Sequence, residues 1–228
     1  MTSPAWRPAA ITFDCYGTLI DWNRGIEGAI AAVPALRRTP EPERRSIRAR
    51  REAIELERFL PKGYRPYREI LAESLVEAAR EAEIGVPPRE AEAFAASMAT
   101  WPPHADSPEG LARLREKFRL AILSNVDRST LLASVRLLGV EFDLLVTAED
   151  VRSYKPARAH FDRALAGLGL RPDQVLHVSY TAEHDLLPAQ ALGISTAWVK
   201  RYGAALPSAV KPRLAVPDLL ALADALGA

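Results

Sequence analysis

Four short constellations carry side chains able to do chemistry, and each lies beside an apolar run. The first, Phe13-Asp14-Cys15-Tyr16-Gly17-Thr18-Leu19, sets a carboxylate at the end of Ala9-Ala10-Ile11-Thr12-Phe13 and just before a glycine turn. A carboxylate placed there faces a crevice, where it can attack an electrophile and form a covalent intermediate. Ser124-Asn125 follow the run Arg119 to Leu123, Tyr154-Lys155-Pro156 precede a helical pattern, and Asp185 follows the run Val175 to Val178. Taken singly, each has a dull explanation. Ser and Asn cap helices, Lys is usually solvated, and Asp suits a turn or a first helical turn. Taken together, in this order at successive strand ends, they point to one site. Only five of the thirty basic residues are lysines, so Lys155 is an uncommon choice in this chain.

These residues must be positioned by strands and helices. Besides the runs named, Leu144-Leu145-Val146 and Ser195 to Val199 read as buried strands. Between them run helical patterns, Leu131, Leu132, Val135 and Leu138 in one, Phe161, Leu165 and Leu168 in the next. Strands alternating with helices of that length predict an α/β fold with a parallel sheet covered on both faces. Pro217-Asp218-Leu219-Leu220 opens a last helix with proline near its start. From about Trp22 to Trp101 the pattern is different: helical faces such as Tyr67, Ile70, Leu71, Ser74, Leu75 and Ala78, punctuated by Pro61, Gly63, Pro66, Pro87 and Pro88. No repeat or low-complexity tract interrupts the chain.

Composition narrows the classes. The 228 residues are 48% apolar and carry a net charge of +1, without the clustered basic excess of a nucleic-acid binder. No apolar run approaches the ~18 residues of a membrane helix, and the stretch from Met1 to Ala10 does not read as a signal peptide. A single cysteine, Cys15, fits a reducing compartment, so a cytoplasmic location is expected.

The motifs and their order resemble the haloacid dehalogenase superfamily over essentially the whole chain. The resemblance implies a Rossmann-like core, residues 1–20 and 102–228, with an all-helical cap inserted at 21–101. It implies Asp14 as nucleophile, Thr18 as the hydroxyl that helps hold the reacting group, and Lys155 as the cation that neutralises Asp14. Asp185 would position Lys155 or a water, while Tyr16, Ser124 and Asn125 would face the substrate or the departing group. A small molecule is the implied partner, and dimerisation is a family expectation, so a homodimer is one implied form.

Two residues divide the superfamily's chemistries. Its phosphatases carry a second Asp two residues after the nucleophile, which protonates the leaving alkoxide; here that position is Tyr16. A tyrosine, with a pKa of ~10, is a poor acid at neutral pH, whereas a halide leaving group needs no proton. The Asp-x-Tyr-Gly-Thr form resembles that of L-2-haloacid dehalogenases. The phosphatases' Gly-Asp pair at the fourth motif corresponds to Ser179 and Tyr180, which removes one oxygen ligand of a Mg²⁺ site. Hydrolysis of a small 2-haloacid without a cofactor is therefore the leading expectation. The alternatives are a Mg²⁺-dependent phosphatase using Asp14, Asp185 and Glu183, or a non-catalytic binding protein. A substrate carboxylate also calls for a cap arginine, and among Arg44, Arg48 and Arg51 position favours Arg48. Val126-Asp127, Tyr180, Ala182 and Phe161 depart from the dehalogenase pattern. Cys15 and His177 read as core, His104 as a junction residue, and His184, beside Asp185, as either a site residue or a helix-start residue.

Overall fold

Six short apolar segments pair in a single sheet: β1 (Ala10–Phe13), β2 (Arg119–Ser124), β3 (Leu144–Thr147), β4 (Val175–Ser179), β5 (Ser195–Val199) and β6 (Leu214–Val216). This computed structural model describes residues 6–60, 63–203 and 205–228. Residues 1–5 of the N-terminal stretch, with Pro61 and Lys62, lie outside the described residues. The order is β3-β2-β1-β4-β5-β6, and every pairing is parallel. Side chains of alternating parity divide between separate cores. Ile11, Phe13, Leu120, Ile122, Leu176 and Val178 join the larger cluster, whereas Leu123, Val146 and Val175 join another. Both faces of the sheet are therefore covered, which is why the strands read as continuous apolar runs. The three-residue β6 escapes sequence analysis because Pro212 and Pro217 flank it and leave no period to detect.

The chain between β1 and β2 is helical: α1 (Trp22–Ala32), α2 (Glu41–Ile54), α3 (Tyr67–Glu81), α4 (Pro88–Ala96) and α5 (Ser107–Arg115). Helix α3 packs against both α2 and α4. The chain leaves and re-enters the core at neighbouring points. Ile20 bridges Pro103 in antiparallel fashion, and Asp21 N donates to Pro102 O at 2.8 Å. Beyond β2 come α6 (Arg128–Leu138), α7 (Ala148–Val151), α8 (Ala159–Leu168), α9 (Leu187–Ala191) and α10 (Leu219–Ala225). One local expectation needs correction: Leu132 is exposed, because α6 turns Leu131, Ser134 and Leu138 inward instead. The last helix opens as read, with Pro217 just before the cap Asp218, whose side chain accepts from Ala221 N.

Among the contacts that tie the insert to the core is a helix cap supplied from outside the helix. Asp127 stands at the N-cap of α6 but makes no side-chain bond to that helix. Its carboxylate instead accepts from Tyr67 N (2.9 Å) and Arg68 N (2.8 Å), at the start of α3. An acceptor for free amides at a helix start stabilises it by ~1 kcal/mol.

Close packing also fixes α1. A Cβ at Gly25 would lie 2.4 Å from the ring of Trp101, which is wedged edge-on against Trp22 and Tyr16. In an exposed helix Gly→Ala gains ~1 kcal/mol; here overpacking costs roughly 1–3 kcal/mol and reverses the sign. Gly25→Ala is expected to lower the urea midpoint of unfolding, and an unchanged or raised midpoint would show that Trp101 can yield.

Candidate active site

Parallel strands end on one edge of the sheet, and the polar residues of all four motifs meet there. Asp14 follows β1 directly, Ser124 ends β2, and Asp185 lies in the helical turn Ala182–Leu186 after β4. Lys155, in the turn before α8, is 2% exposed. Its ammonium donates to Asp14 Oδ1 (3.0 Å), Asp185 Oδ1 (2.6 Å) and Leu123 O (2.8 Å). Three donors meet three acceptors, so the cation is saturated.

The carboxylates are held from behind. Thr18 Oγ1 donates to Asp14 Oδ2 at 2.8 Å and itself accepts from Tyr180 N at 3.2 Å. Asp185 accepts from Thr181 Oγ1 (2.6 Å) on one oxygen and from His177 Nε2 (2.9 Å) on the other. Because Asp185 Oδ1 can only accept, His177 carries its proton on Nε2, and Nδ1 takes the hydroxyl proton of Thr12 at 2.9 Å. Burial pushes the Asp14 carboxyl up from its ordinary value, Lys155 pulls it back, and the charge of Asp185 pushes it up again. Burial also opposes ionisation of Asp185, yet Lys155 and His177 outweigh it and hold that carboxyl far below the usual range. For Lys155, desolvation favours the neutral amine, but its two carboxylates raise it overall, so it stays an ammonium.

Other partners fix the loops. Asn125 and Lys155 exchange two bonds, Lys155 N to Asn125 Oδ1 at 2.7 Å and Asn125 Nδ2 to Lys155 O at 3.1 Å. His160 Nε2 donates to Ser124 O at 3.2 Å, and burial, followed by the Lys155 charge, pushes its imidazole down to about 4. Arg201 reaches from beyond β5 to the carbonyl of Thr18 at 3.0 Å and forks onto both oxygens of Asp106. Arg201 escaped sequence reading because its partners lie about a hundred residues or more away.

The catalytic-type residues thus gather where their order suggested, and the binding residues need revision. Asn125 lines the cavity, but both ends of its amide are spent on Lys155, which makes it a clamp on the lysine loop. Ser124 and Tyr16 line the cavity too; Tyr16 OH pairs with Ser134 Oγ at 2.7 Å. Arg48 does not reach it. Its guanidinium is spent on Glu27, Glu52 and Asn23. Arg51 lines the cavity instead. Its side chain is fully buried, with one nitrogen on Glu55 (2.5 Å) and with Nε and Nη2 lacking hydrogen-bond partners. The signal was present: Ile47, Arg51 and Ile54 share the buried stripe of α2 at i, i+4, i+7, so Arg51 sits at a core position.

The donor set fits Mg²⁺ poorly. Lys155 already neutralises both Asp14 and Asp185, Asp185 Oδ1 accepts two hydrogen bonds, and Tyr180 follows Ser179 where a further carboxylate ligand would be needed. Among the described residues, no three His, Cys, Asp or Glu side chains gather in a metal-binding group. Nor, among them, is any helix long and apolar enough to cross a membrane.

A parallel α/β core with polar residues converging at its carboxyl edge, beneath a helical insert, defines an enzyme of the Rossmann-like hydrolase class. The chain belongs to the haloacid dehalogenase-like hydrolases, whose family model matches residues 8–193. Among its relatives, the (S)-2-haloacid dehalogenase of Pseudomonas sp. (strain YL) is 28% identical over 200 residues, spanning 85% of this chain and 83% of that protein. The pyrimidine 5'-nucleotidase YjjG of Escherichia coli (strain K12) is 35% identical over 115 residues, covering 48% of this chain and 50% of its own. Among solved structures, a defluorinating L-2-haloacid dehalogenase superposes with a TM-score of 0.82 at 25% identity, over 100% of this chain and 99% of that one.

The Thr12–His177–Asp185 relay has a stability consequence. Asp185 has a depressed pKa in the folded state, so its stabilisation is full above the unfolded carboxylate value and fades as pH falls below it. His177→Leu strands the Thr12 hydroxyl and removes a donor from a buried carboxylate, an expected loss of roughly 1.5–3 kcal/mol near neutral pH. Chemical denaturation of the variant checks this, and an unchanged midpoint would show the relay to be dispensable.

Proposed function

We propose that the chain hydrolyses the carbon–halogen bond of a 2-haloacid, with Asp14 as a covalent nucleophile. The observation that carries the reading is the state of Tyr16. Burial, then the neighbouring Cys15, push its hydroxyl far above neutrality, and it is engaged by Ser134. The position from which a leaving alkoxide would be protonated thus holds no usable acid, which suits a leaving group that departs as an anion.

In the first step a carboxylate oxygen of Asp14 attacks C2 in line; the C–X bond breaks and halide leaves with its electron pair, giving an aspartyl ester. Water then adds to the Asp14 carboxyl carbon, the ester C–O bond breaks, and a 2-hydroxy acid leaves with Asp14 restored and one proton released. Lys155 holds Asp14 ionised and turned toward the cavity, while Thr18 restrains its other oxygen. Asp185 fixes Lys155 and so the trajectory. Residues 21–101 serve as a cap over a core of residues 1–20 and 102–228, excluding water from the attacking carboxylate. The single cysteine supports a cytoplasmic location.

Among the described residues lining the cavity, Lys155 is saturated, whereas Arg51 keeps Nε and Nη2 without hydrogen bonds, which favours Arg51 as the partner for the substrate carboxylate. A planar fork suits that role better than an ammonium. Arg51→Lys keeps the charge and loses the fork; a bond to a charged group is worth ~1.5–3 kcal/mol, so KM is expected to rise roughly tenfold or more. Arg48→Ala is expected to leave KM unchanged, and the opposite ranking would return the role to Arg48.

The deciding assay follows halide and phosphate release from panels of 2-haloacids and phosphate esters, with and without EDTA, using Asp14→Asn as the blank. Halide release that ignores EDTA and vanishes in the variant is expected. A single turnover in ¹⁸O-water should leave the label on Asp14 and not in the product. Label in the first-turnover product would mean direct attack by water, and Mg²⁺-dependent phosphate release would replace the reading with a phosphatase.

A further inference from the structure

The cavity above Asp14 is larger and more aromatic than a three-carbon acid requires. It encloses about 410 Å³, within the range that holds drug-sized ligands. Its floor is polar, formed by Asp14, Lys155 and Asp185; five aromatic side chains stand among the described residues around it, with Glu52, Glu55 and Glu183 also on its border. Three of these side chains have their polar atoms spent within the protein. Tyr16 OH is paired with Ser134, Tyr154 OH donates to Arg65 O at 2.7 Å, and Trp22 Nε1 donates to Glu52 at 3.4 Å. What these residues offer a ligand is ring surface.

The rings are also held in place and cannot fold inward to fill the space. Tyr16, Trp22 and Trp101 pack edge to face at 5.1–6.4 Å between centroids, and Tyr154 stacks on Tyr64 at 5.9 Å. At the margin of the cavity stands Leu56, 53% exposed, an apolar side chain available to cover part of a bound molecule. A single exposed leucine is ordinary; one beside an aromatic-walled cavity extends the same apolar surface outward.

From this we infer that the preferred substrates are 2-haloacids whose α-carbon bears a large apolar substituent of the arylmethyl class, an assignment that rests on the dehalogenation reading above. The carboxylate meets Arg51, the halogen-bearing carbon meets Asp14, and the substituent covers the rings. A methyl group in its place would leave most of the cavity to water and most of the ring surface uncovered. Binding energy from the non-reacting substituent also helps to hold C2 in line with Asp14, so the advantage should be realised in kcat/KM.

The test compares halide release from racemic 2-chloro-3-phenylpropionate and 2-chloropropionate by the full-length protein. A single methylene in an apolar pocket is worth ~10-fold or more in kcat/KM, so the aryl acid is expected to exceed the three-carbon acid by roughly tenfold at least. Leu56→Ala, on the exposed margin where folding is not at stake, is expected to shrink that ratio severalfold. A ratio at or below one, with 2-chloropropionate turned over, overturns the assignment and leaves dehalogenation standing. Halide release from neither acid, nor from any other haloacid of the panel, overturns both.

Discussion

One ammonium between two carboxylates governs this molecule. A buried ion costs several kcal/mol in desolvation unless its partners are close and its remaining bonds are met. Lys155 satisfies that condition only where Asp14, Asp185 and the Leu123 carbonyl stand within 2.6–3.0 Å. Much of the surrounding structure serves that geometry. Asn125 fixes the main chain of the lysine, Thr12 and His177 fix Asp185, and Thr18, braced by Arg201, fixes Asp14. When all three are ionised the trio sums to one negative charge.

The same constraint separates the site's floor from its walls. Polar groups on the floor are engaged with one another, leaving few donors for a ligand beyond Arg51. The aromatic walls come from the helical insert and from turns after β1, α7 and β4, where ring packing and hydrogen bonds within the protein together set position. Chemistry and selectivity are thus carried by different parts of the chain.

Sequence revealed the strand ends best, because a buried parallel strand is an unbroken apolar run and whatever follows it is exposed at one edge. Asp14, Lys155 and Asp185 were legible for that reason. Side-chain direction on α2 is less legible: position along the chain favours Arg48, whereas the apolar period of Ile47 and Ile54 singles out Arg51. His177 lies within a strand of otherwise mostly apolar residues and reads as core, which it is, but its bond to Asp185 spans a strand end and a turn that only the fold brings together. Asn125 illustrates the remaining difficulty. Its residue type suits substrate binding and loop fixing equally, and only geometry chooses.

Asp127 shows how the insert and the core are joined. The residue that would cap its own helix lends both oxygens to the first amides of α3. Caps of this kind are worth ~1–2 kcal/mol, which biases a two-state equilibrium by a factor of roughly 5–30. That cap does not act alone: Tyr154 OH donates to Arg65 O, and apolar side chains of the insert and the core share one cluster. Any movement of the insert over the site must therefore break polar and apolar contacts together.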